Sequence, residues 1–341
     1  MIILRYLLFP FAILYGLITS IRNFLFDIGI LKSHSFDIPI IVVGNLSVGG
    51  TGKTPQIEYL IRLLSPTYKI ATLSRGYKRK SEGYILADEN SNAEILGDEP
   101  YQMHLKFPKV NVAVDANRKN GIEKLLSLKE KPDVILLDDA FQHRKVKAGF
   151  YILLTTYNDL FCDDFMLPTG SLRESKSGAK RADVIIVTKC PNDLSETEQH
   201  TIRKKIGAAN PVYFSCIDYD DKVYNASESK NVADIRKVDK LLLAGIAKPN
   251  PFFAYLQADE DVKLHYPDHH HYTENDIKTI RDKANNKLII TTEKDFVRMN
   301  NQQLESLFYL PIKSSFLSDG ANFDKTILNY VGKSSRNGSV H

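Results

Sequence analysis

Gly52-Lys53-Thr54 follows Ser47-Val48-Gly49-Gly50-Thr51, and both follow the apolar run Ile38-Pro39-Ile40-Ile41 that continues into Val42-Val43. A β-branched strand, a glycine-rich loop and a Lys-Thr pair in series suit a phosphate cradle that opens into a helix N-terminus. Glycines let backbone N–H groups converge on phosphate oxygens. Lys53 offers a cation to the β and γ phosphates, and Thr54 offers a hydroxyl to Mg²⁺. Residues Ser47, Val48, Gly49, Gly50, Thr51, Gly52, Lys53 and Thr54 are therefore the expected nucleotide contacts. The strict pattern G-x-x-x-x-G-K-[ST] wants glycine at position 47, where this chain has Ser47. A glycine-rich surface turn is the plain alternative, but it requires neither the strand before nor the Lys-Thr after.

Asp133-Val-Ile-Leu-Leu-Asp138-Asp139 is an apolar strand ending in two acids. Such a strand delivers a carboxylate to the metal of a phosphate loop. Alternation sends the two side chains to opposite faces, so one can reach Mg²⁺ while the other orients a neighbour. Gly97-Asp98-Glu99-Pro100 precedes a helical stretch, and Asp98 reads equally as a helix cap or as a general base for an attacking hydroxyl. Pro168 to Glu174 is a turn carrying Arg173 for phosphate and Glu174 for metal, or it is a solvated loop. Ser74-Arg75-Gly76-Tyr77-Lys78-Arg79-Lys80 packs cations behind a strand end; a solvated loop is the default for a charge run, but open α/β sheets bind ligands at that edge, which favours an anionic substrate. In Asp268-His269-His270-His271 the consecutive side chains point apart, so one histidine reaching the site fits better than a chelate.

These residues need a scaffold. Strand candidates at 69–74, 111–115, 133–139, 150–155 and 182–189 alternate with helical stretches such as 55–64 and 117–129, which implies an α/β fold with a mostly parallel sheet. A second series at 212–217, 240–246, 262–266, 287–292 and 307–312 predicts a smaller α/β unit. The expected division is a membrane-associated helix over 1–30, a phosphate-loop unit over 31–217, a linker over 218–239, the smaller unit over 240–331 and a disordered tail over 332–341.

From Tyr6 to Ile21 there is no charge, and Arg5 and Arg22 flank the run. Sixteen helical residues reach roughly 24 Å, short of the ~30 Å hydrocarbon layer. Its aromatic residues favour an interface, so the expected state is a helix lying in one leaflet, with a signal peptide and a buried core helix as rivals. The net charge of +4 is too small to argue for nucleic acid. Cys162, Cys190 and Cys216 are odd in number and form no C-x-x-C pair, which points to a reducing compartment.

Taken together the motifs resemble the tetraacyldisaccharide 4′-kinase, or lipid A 4′-kinase, family. The resemblance runs through Gly44 to Pro55, SRGYKRK, GDEP, Asn117-Arg118, LLDDAFQH, LPTGSLRE, VTK, AGIAKP, YPDHH and TTEKD, in order along nearly the whole chain. Ala140 stands where the family has glycine in DDGFQH, and no functional group is lost by it. The resemblance implies a RecA-like phosphate-loop domain beside a smaller α/β domain, ATP and Mg²⁺ as cofactors, and a lipid A disaccharide precursor as substrate. It places the enzyme at the cytoplasmic face of the bacterial inner membrane, with no obligate protein partner. It also implies roles: Asp98 as base with His269 as its partner, Lys53, Asp139 and Arg173 as active-site groups, and Thr54, Asp138 and Glu174 on the metal. Arg75, Lys78, Arg118, Gln142 and His143 are then expected to bind substrate. A nucleotide switch protein is the rival class. Val187-Thr188-Lys189-Cys190-Pro191 faintly matches a guanine-reading motif, but Pro191 stands where the carboxylate is needed.

Overall fold

The computed structural model describes residues 2–337 except 208, 226, 269, 300–303 and 305. The first part of the chain forms α1 (Ile2–Asp27), β1 (Ile40–Asn45), α2 (Lys53–Leu64), β2 (Ile70–Ser74), β3 (Ile85–Leu86), α3 (Ala93–Leu96), α4 (Asp98–Lys106), β4 (Asn111–Val114), α5 (Arg118–Leu126), β5 (Val134–Asp138), β6 (Phe150–Thr156), β7 (Val184–Thr188), α6 (Glu196–Ile206) and β8 (Val212–Tyr219). There follow β9 (Lys222–Tyr224), β10 (Ser229–Asn231), α7 (Val232–Ile235), β11 (Lys240–Ala244), α8 (Asn250–Leu256), β12 (Val262–His265), α9 (Glu274–Ala284), β13 (Leu288–Thr292), α10 (Glu293–Met299), β14 (Leu307–Leu310), β15 (Ile312–Phe316) and α11 (Gly320–Asn337).

Among the described residues the strands make two sheets. The larger has nine strands in the order β15-β8-β7-β6-β1-β5-β2-β4-β3, and the smaller has six in the order β10-β9-β14-β13-β11-β12. In the larger sheet β1 pairs in parallel with β5 and β6, and only β3 and β15, at its edges, run antiparallel. All six residues of β1 are buried because both faces are covered. On one face Ile41 and Val43 pack with Ile57, Leu60, Ile61 and Leu64 of α2 and with Phe323, Ile327 and Val331 of α11. On the other, Ile40 and Val42 pack with Ile122 and Leu125 of α5. Each such side chain contributes about 1.5–3 kcal/mol on full burial. The register places Val43 opposite Asp138, so the two strands open at one carboxyl edge and set the phosphate loop beside the paired acids.

Three expectations change. The apolar core of the larger unit reclaims the end of the chain: β15 pairs with β8, and α11 packs on β1. The segment expected as a linker carries β9, β10 and α7, and β9 joins the smaller sheet through β14. The tail expected to be disordered from 332 is helical as far as Asn337, because Phe323, Ile327 and Val331 recur on one buried helix face.

The first helix is long and apolar enough to cross a membrane, and only 11% of its Leu8–Asp27 window is buried. The core-helix reading therefore fails. Phe11, Ile13, Leu14, Leu17, Ile18, Ile21 and Phe24 are exposed. A stripe on another side is held by the protein. The Tyr15 hydroxyl donates to the Arg173 carbonyl at 3.0 Å, Arg22 donates to the Gln142 carbonyl at 2.8 Å, and Gly16 faces Met166.

Candidate active site

The loop after β1 closes on Gly52, whose φ of 85° lies in the left-handed region that glycine adopts without strain. No side chain caps α2, so its first N–H groups are left to an outside acceptor. The loop is braced from both sides. Asn45 donates to the Thr51 hydroxyl at 2.9 Å, and the Thr188 hydroxyl donates to the Thr51 carbonyl at 2.8 Å. Lys189 donates to the Gly50 carbonyl at 2.6 Å. The Val187-Thr188-Lys189 segment thus serves as a strut for the loop. Val48 departs from the expectation: its N–H donates to the Ser171 carbonyl at 2.8 Å, and Ser47 bridges to Leu172, so this end of the cradle is pinned to the turn over 165–173.

Lys53, first in α2, lies 3.7 Å from Asp139. Arg173 grips the same carboxylate with two nitrogens, at 2.8 and 3.1 Å, and also donates to the Asn45 side chain. Asp139 sits at φ 47°, a left-handed turn that aspartate tolerates better than most residues. Burial alone would raise its pKa, but Arg173 and Lys53 hold it below the usual carboxylate range.

Asp138 lies the other way. It is buried, and its Oδ1 has no hydrogen-bond partner. Burial and then the Glu99 carboxylate push its pKa up to about 7, against the pull of Lys53. Glu99 accepts from Lys294 at 2.6 Å and from the Thr54 hydroxyl. Burial opposes its ionisation, and Lys294 outweighs it, so Glu99 is the acid of this pair held as a carboxylate. An orphaned buried carboxylate oxygen, a hydroxyl and a second carboxylate form an oxygen donor set that suits a hard divalent cation. Among the described residues no group of three or more His, Cys, Asp or Glu could hold a metal. A Mg²⁺ ion would need only one or two carboxylates and would take its other ligands from phosphates and water.

Asp98 is not a helix cap. Gly97 occupies that position, and Asp98 starts α4 with its carboxylate on Arg298 at 2.8 Å. At the other end of α4, Lys106 bridges Glu58 of α2 at 2.8 Å and Glu293 of α10 at 2.6 Å. The helix carrying Asp98 is thereby clamped between the phosphate-loop helix and the smaller sheet's α10.

Several expected contacts sit elsewhere. Glu174 is buried, with Arg181 on both oxygens at 2.8 and 2.9 Å, Gln142 on one at 2.8 Å and Asn23 on the other at 2.7 Å. Both of its oxygens are engaged by Arg181 and by two amides, which makes it a brace between these elements in this structure. Arg118, read as substrate-binding, is only 2% exposed and donates to the carbonyls of Asp115 and Asp138, as a scaffold behind the acids. Gln142 also reaches inward, donating to the Asn45 carbonyl at 2.8 Å. Arg75 and Lys78 are exposed at the carboxyl edge. His143 is half-buried with an unpartnered Nε2, and burial together with Arg118, Lys145, Arg22 and Arg75 lowers its pKa to about 4. His269 lies outside the described residues. Its neighbour His270 contacts Asp276 at 3.0 Å, beside the cap of α9, and stacks on Tyr266.

Glu99, Asn45, Lys294 and Arg298 join the site without any role assigned to them by a motif. For Glu99 the signal was present, as the second acid in the first turn of a helix. Nothing local marks Arg298, which meets Asp98 across 200 residues.

A family model for tetraacyldisaccharide-1-P 4′-kinase matches residues 4–332. A tetraacyldisaccharide 4′-kinase of Flavobacterium psychrophilum is 68% identical over 340 residues, covering 98% of this chain and 99% of that protein. One of Bacteroides thetaiotaomicron is 46% identical over 359 residues, covering 97% and 94%. A crystal structure of LpxK from Aquifex aeolicus in complex with ATP superposes with a TM-score of 0.80 at 30% identity, covering 96% of this chain and 99% of that one.

Proposed function

The chain belongs to the tetraacyldisaccharide-1-phosphate 4′-kinase family, and from that premise we propose that it moves the γ-phosphoryl group of ATP to the 4′-hydroxyl of a tetraacyldisaccharide 1-phosphate in lipid A biosynthesis. The observation that carries the residue-level reading is the convergence of Lys53, Thr54, Asp138, Asp139 and Glu99 at one carboxyl edge of the larger sheet, with Asp98 next to Glu99 at the start of α4.

Phosphoryl transfer asks a protein for position and charge neutralisation more than for covalent chemistry. The N–H groups of Gly49, Gly50 and Gly52 to Thr54, at the uncapped start of α2, receive the β and γ phosphates, while the Thr51 N–H is taken by the Gly49 carbonyl. Lys53 adds its positive charge there. Arg173 fixes Asp139, and Asp139 in turn gives the Lys53 ammonium a defined direction. Thr54, Asp138 and Glu99 would hold Mg²⁺, which supplies charge neutralisation on the phosphate oxygens when bound. Asp98 orients the sugar hydroxyl and takes its proton as the oxygen–phosphorus bond forms. A sugar hydroxyl is a weak acid, so this transfer comes late.

The substrate's acyl chains belong in lipid. The exposed apolar face of α1 lies on the cytoplasmic leaflet, while its other stripe, through Tyr15, Arg22 and Asn23, contacts the loops of the site. Arg75 and Lys78 are placed at the edge to receive an anionic head group. The test is to incubate the protein with ATP, Mg²⁺ and tetraacyldisaccharide 1-phosphate in detergent micelles and analyse the lipid by mass spectrometry. A bis-phosphorylated disaccharide supports the reading, and ATP turnover with unmodified lipid opposes it.

A further inference from the structure

Thr291-Thr292-Glu293-Lys294-Asp295, at the junction of β13 and α10, has no part in the transfer described above, yet it anchors a buried polar chain that ends on Asp98. Arg298, one turn further along α10, donates from Nε to Asp98 at 2.8 Å. Its other arm donates to the Gly245 carbonyl at 3.1 Å and to Asp295 at 3.2 Å. The Arg298 side chain is 4% exposed and that of Asp295 is fully buried.

Asp295 is fixed in turn. It accepts from the Gly245 N–H at 2.9 Å, from the Thr292 hydroxyl at 2.7 Å and from the Tyr272 hydroxyl at 3.0 Å. The packing is close enough that a Cβ on Gly245 would stand 2.8 Å from Asp295 and 2.9 Å from the Tyr272 hydroxyl. Glycine is required there by approach, not by backbone angle. A buried carboxylate with this many donors is satisfied as an anion, and it holds one face of a planar guanidinium in place. With one arm fixed, the direction of the Nε–H is fixed too. A lysine, as a mobile point charge, would carry no such direction.

We infer that Arg298 is the positioning residue of Asp98, held in place by Asp295, Gly245 and Tyr272 of the smaller unit. The inference rests on the reading of Asp98 as the acceptor-side base, and it goes further: the base stands on one unit and its orientation is set by the other. Lys294 of the same helix serves Glu99 instead, at 2.6 Å. The two cations of α10 thus divide between the two acids that open α4.

The experiment is a double-mutant cycle on the full-length enzyme, with kcat, lipid KM and ATP Kd measured for Asp98→Asn, Arg298→Ala and the pair, and with Arg298→Lys alongside. The inference expects Arg298→Ala to lower kcat by about 30-fold or more with ATP Kd within about twofold, and to be partly restored by millimolar guanidinium. In the Asp98→Asn background the same change should cost less than about twofold, because a residue acting through Asp98 has nothing left to position. Arg298→Lys, which keeps the buried charge should the alanine variant not fold, should lose about tenfold in kcat at unchanged ATP Kd. Wild-type kcat in Arg298→Ala, a full additive loss in the double variant, or a loss that guanidinium does not restore would overturn it. A wild-type kcat in Asp98→Asn would instead overturn the reading of Asp98 itself.

Discussion

The side-chain amide of Asn23 donates to the Glu174 carboxylate at 2.7 Å, joining the exposed apolar helix to a buried acid beneath the phosphate loop. Arg181 and Gln142 share that carboxylate. The exposed apolar helix and the loop that grips Asp139 through Arg173 are therefore one braced assembly. Removing one partner of such a buried pair leaves an uncompensated charge. Glu174→Ala should lower stability by about 3 kcal/mol in urea unfolding while the Mg²⁺ concentration for half-maximal activity stays unchanged. A large rise in that concentration at normal stability would mean the carboxylate reaches the metal.

Lys53 and Arg173 address the same Asp139, but only Lys53 faces the cradle from the start of α2. Lys53→Ala should cut kcat/KM by about 10²–10³, the scale of losing one group that stabilises transition-state charge. Steady-state kinetics with ATP and lipid would show it. Retention of wild-type kcat/KM would remove the loop lysine from the reaction.

Ile13, Leu17 and Ile21 stand 61%, 56% and 50% exposed on α1, away from Tyr15 and Asn23. If each contributes about 1 kcal/mol by partial immersion, changing all three to serine should weaken vesicle partitioning by about 100-fold. Co-sedimentation with anionic vesicles measures this, and ATP affinity should stay the same. Undiminished co-sedimentation would place the contact elsewhere.

His143 has an ordinary value of 6.5 and is lowered to about 4 by burial and by the cations around it. The unfolded chain therefore binds a proton between about pH 6.5 and 4 that the folded chain refuses, so stability is full above that window and falls as the pH drops through it. His143→Asn should flatten that part of the Tm-against-pH curve. An identical slope in the variant would mean that His143 does not set it.

What could be read from the sequence is what depends on neighbours in the chain. Gly52-Lys53-Thr54 and Asp138-Asp139 carry their chemistry within a few residues, and strand alternation already separates the two acids. The structure gives that separation its cause, with Arg173 holding Asp139 ionised while burial raises Asp138. What stayed hidden depends on partners far along the chain. β15 is short and partly exposed, and only its pairing with β8 makes it a strand of the larger sheet. The Val48 amide looks free for phosphate until Ser171 takes it. Nothing near Glu174 in the chain shows that Arg181, Gln142 and Asn23 gather around it. Asp98 reads equally as a cap or a base; the structure removes the cap, because Gly97 takes that place, and it pairs the carboxylate with Arg298.

Asp98, the acid at the start of α4 proposed to take the acceptor's proton, is the central residue of the transfer. Single-turnover phosphoryl transfer by Asp98→Asn, measured beside its ATP Kd, tests it. The predicted result is a loss of about 10²–10⁴ in rate, the scale of positioned proton transfer, with ATP Kd within about twofold of wild type. An undiminished rate would contradict it, as would a loss matched by a collapse in ATP binding.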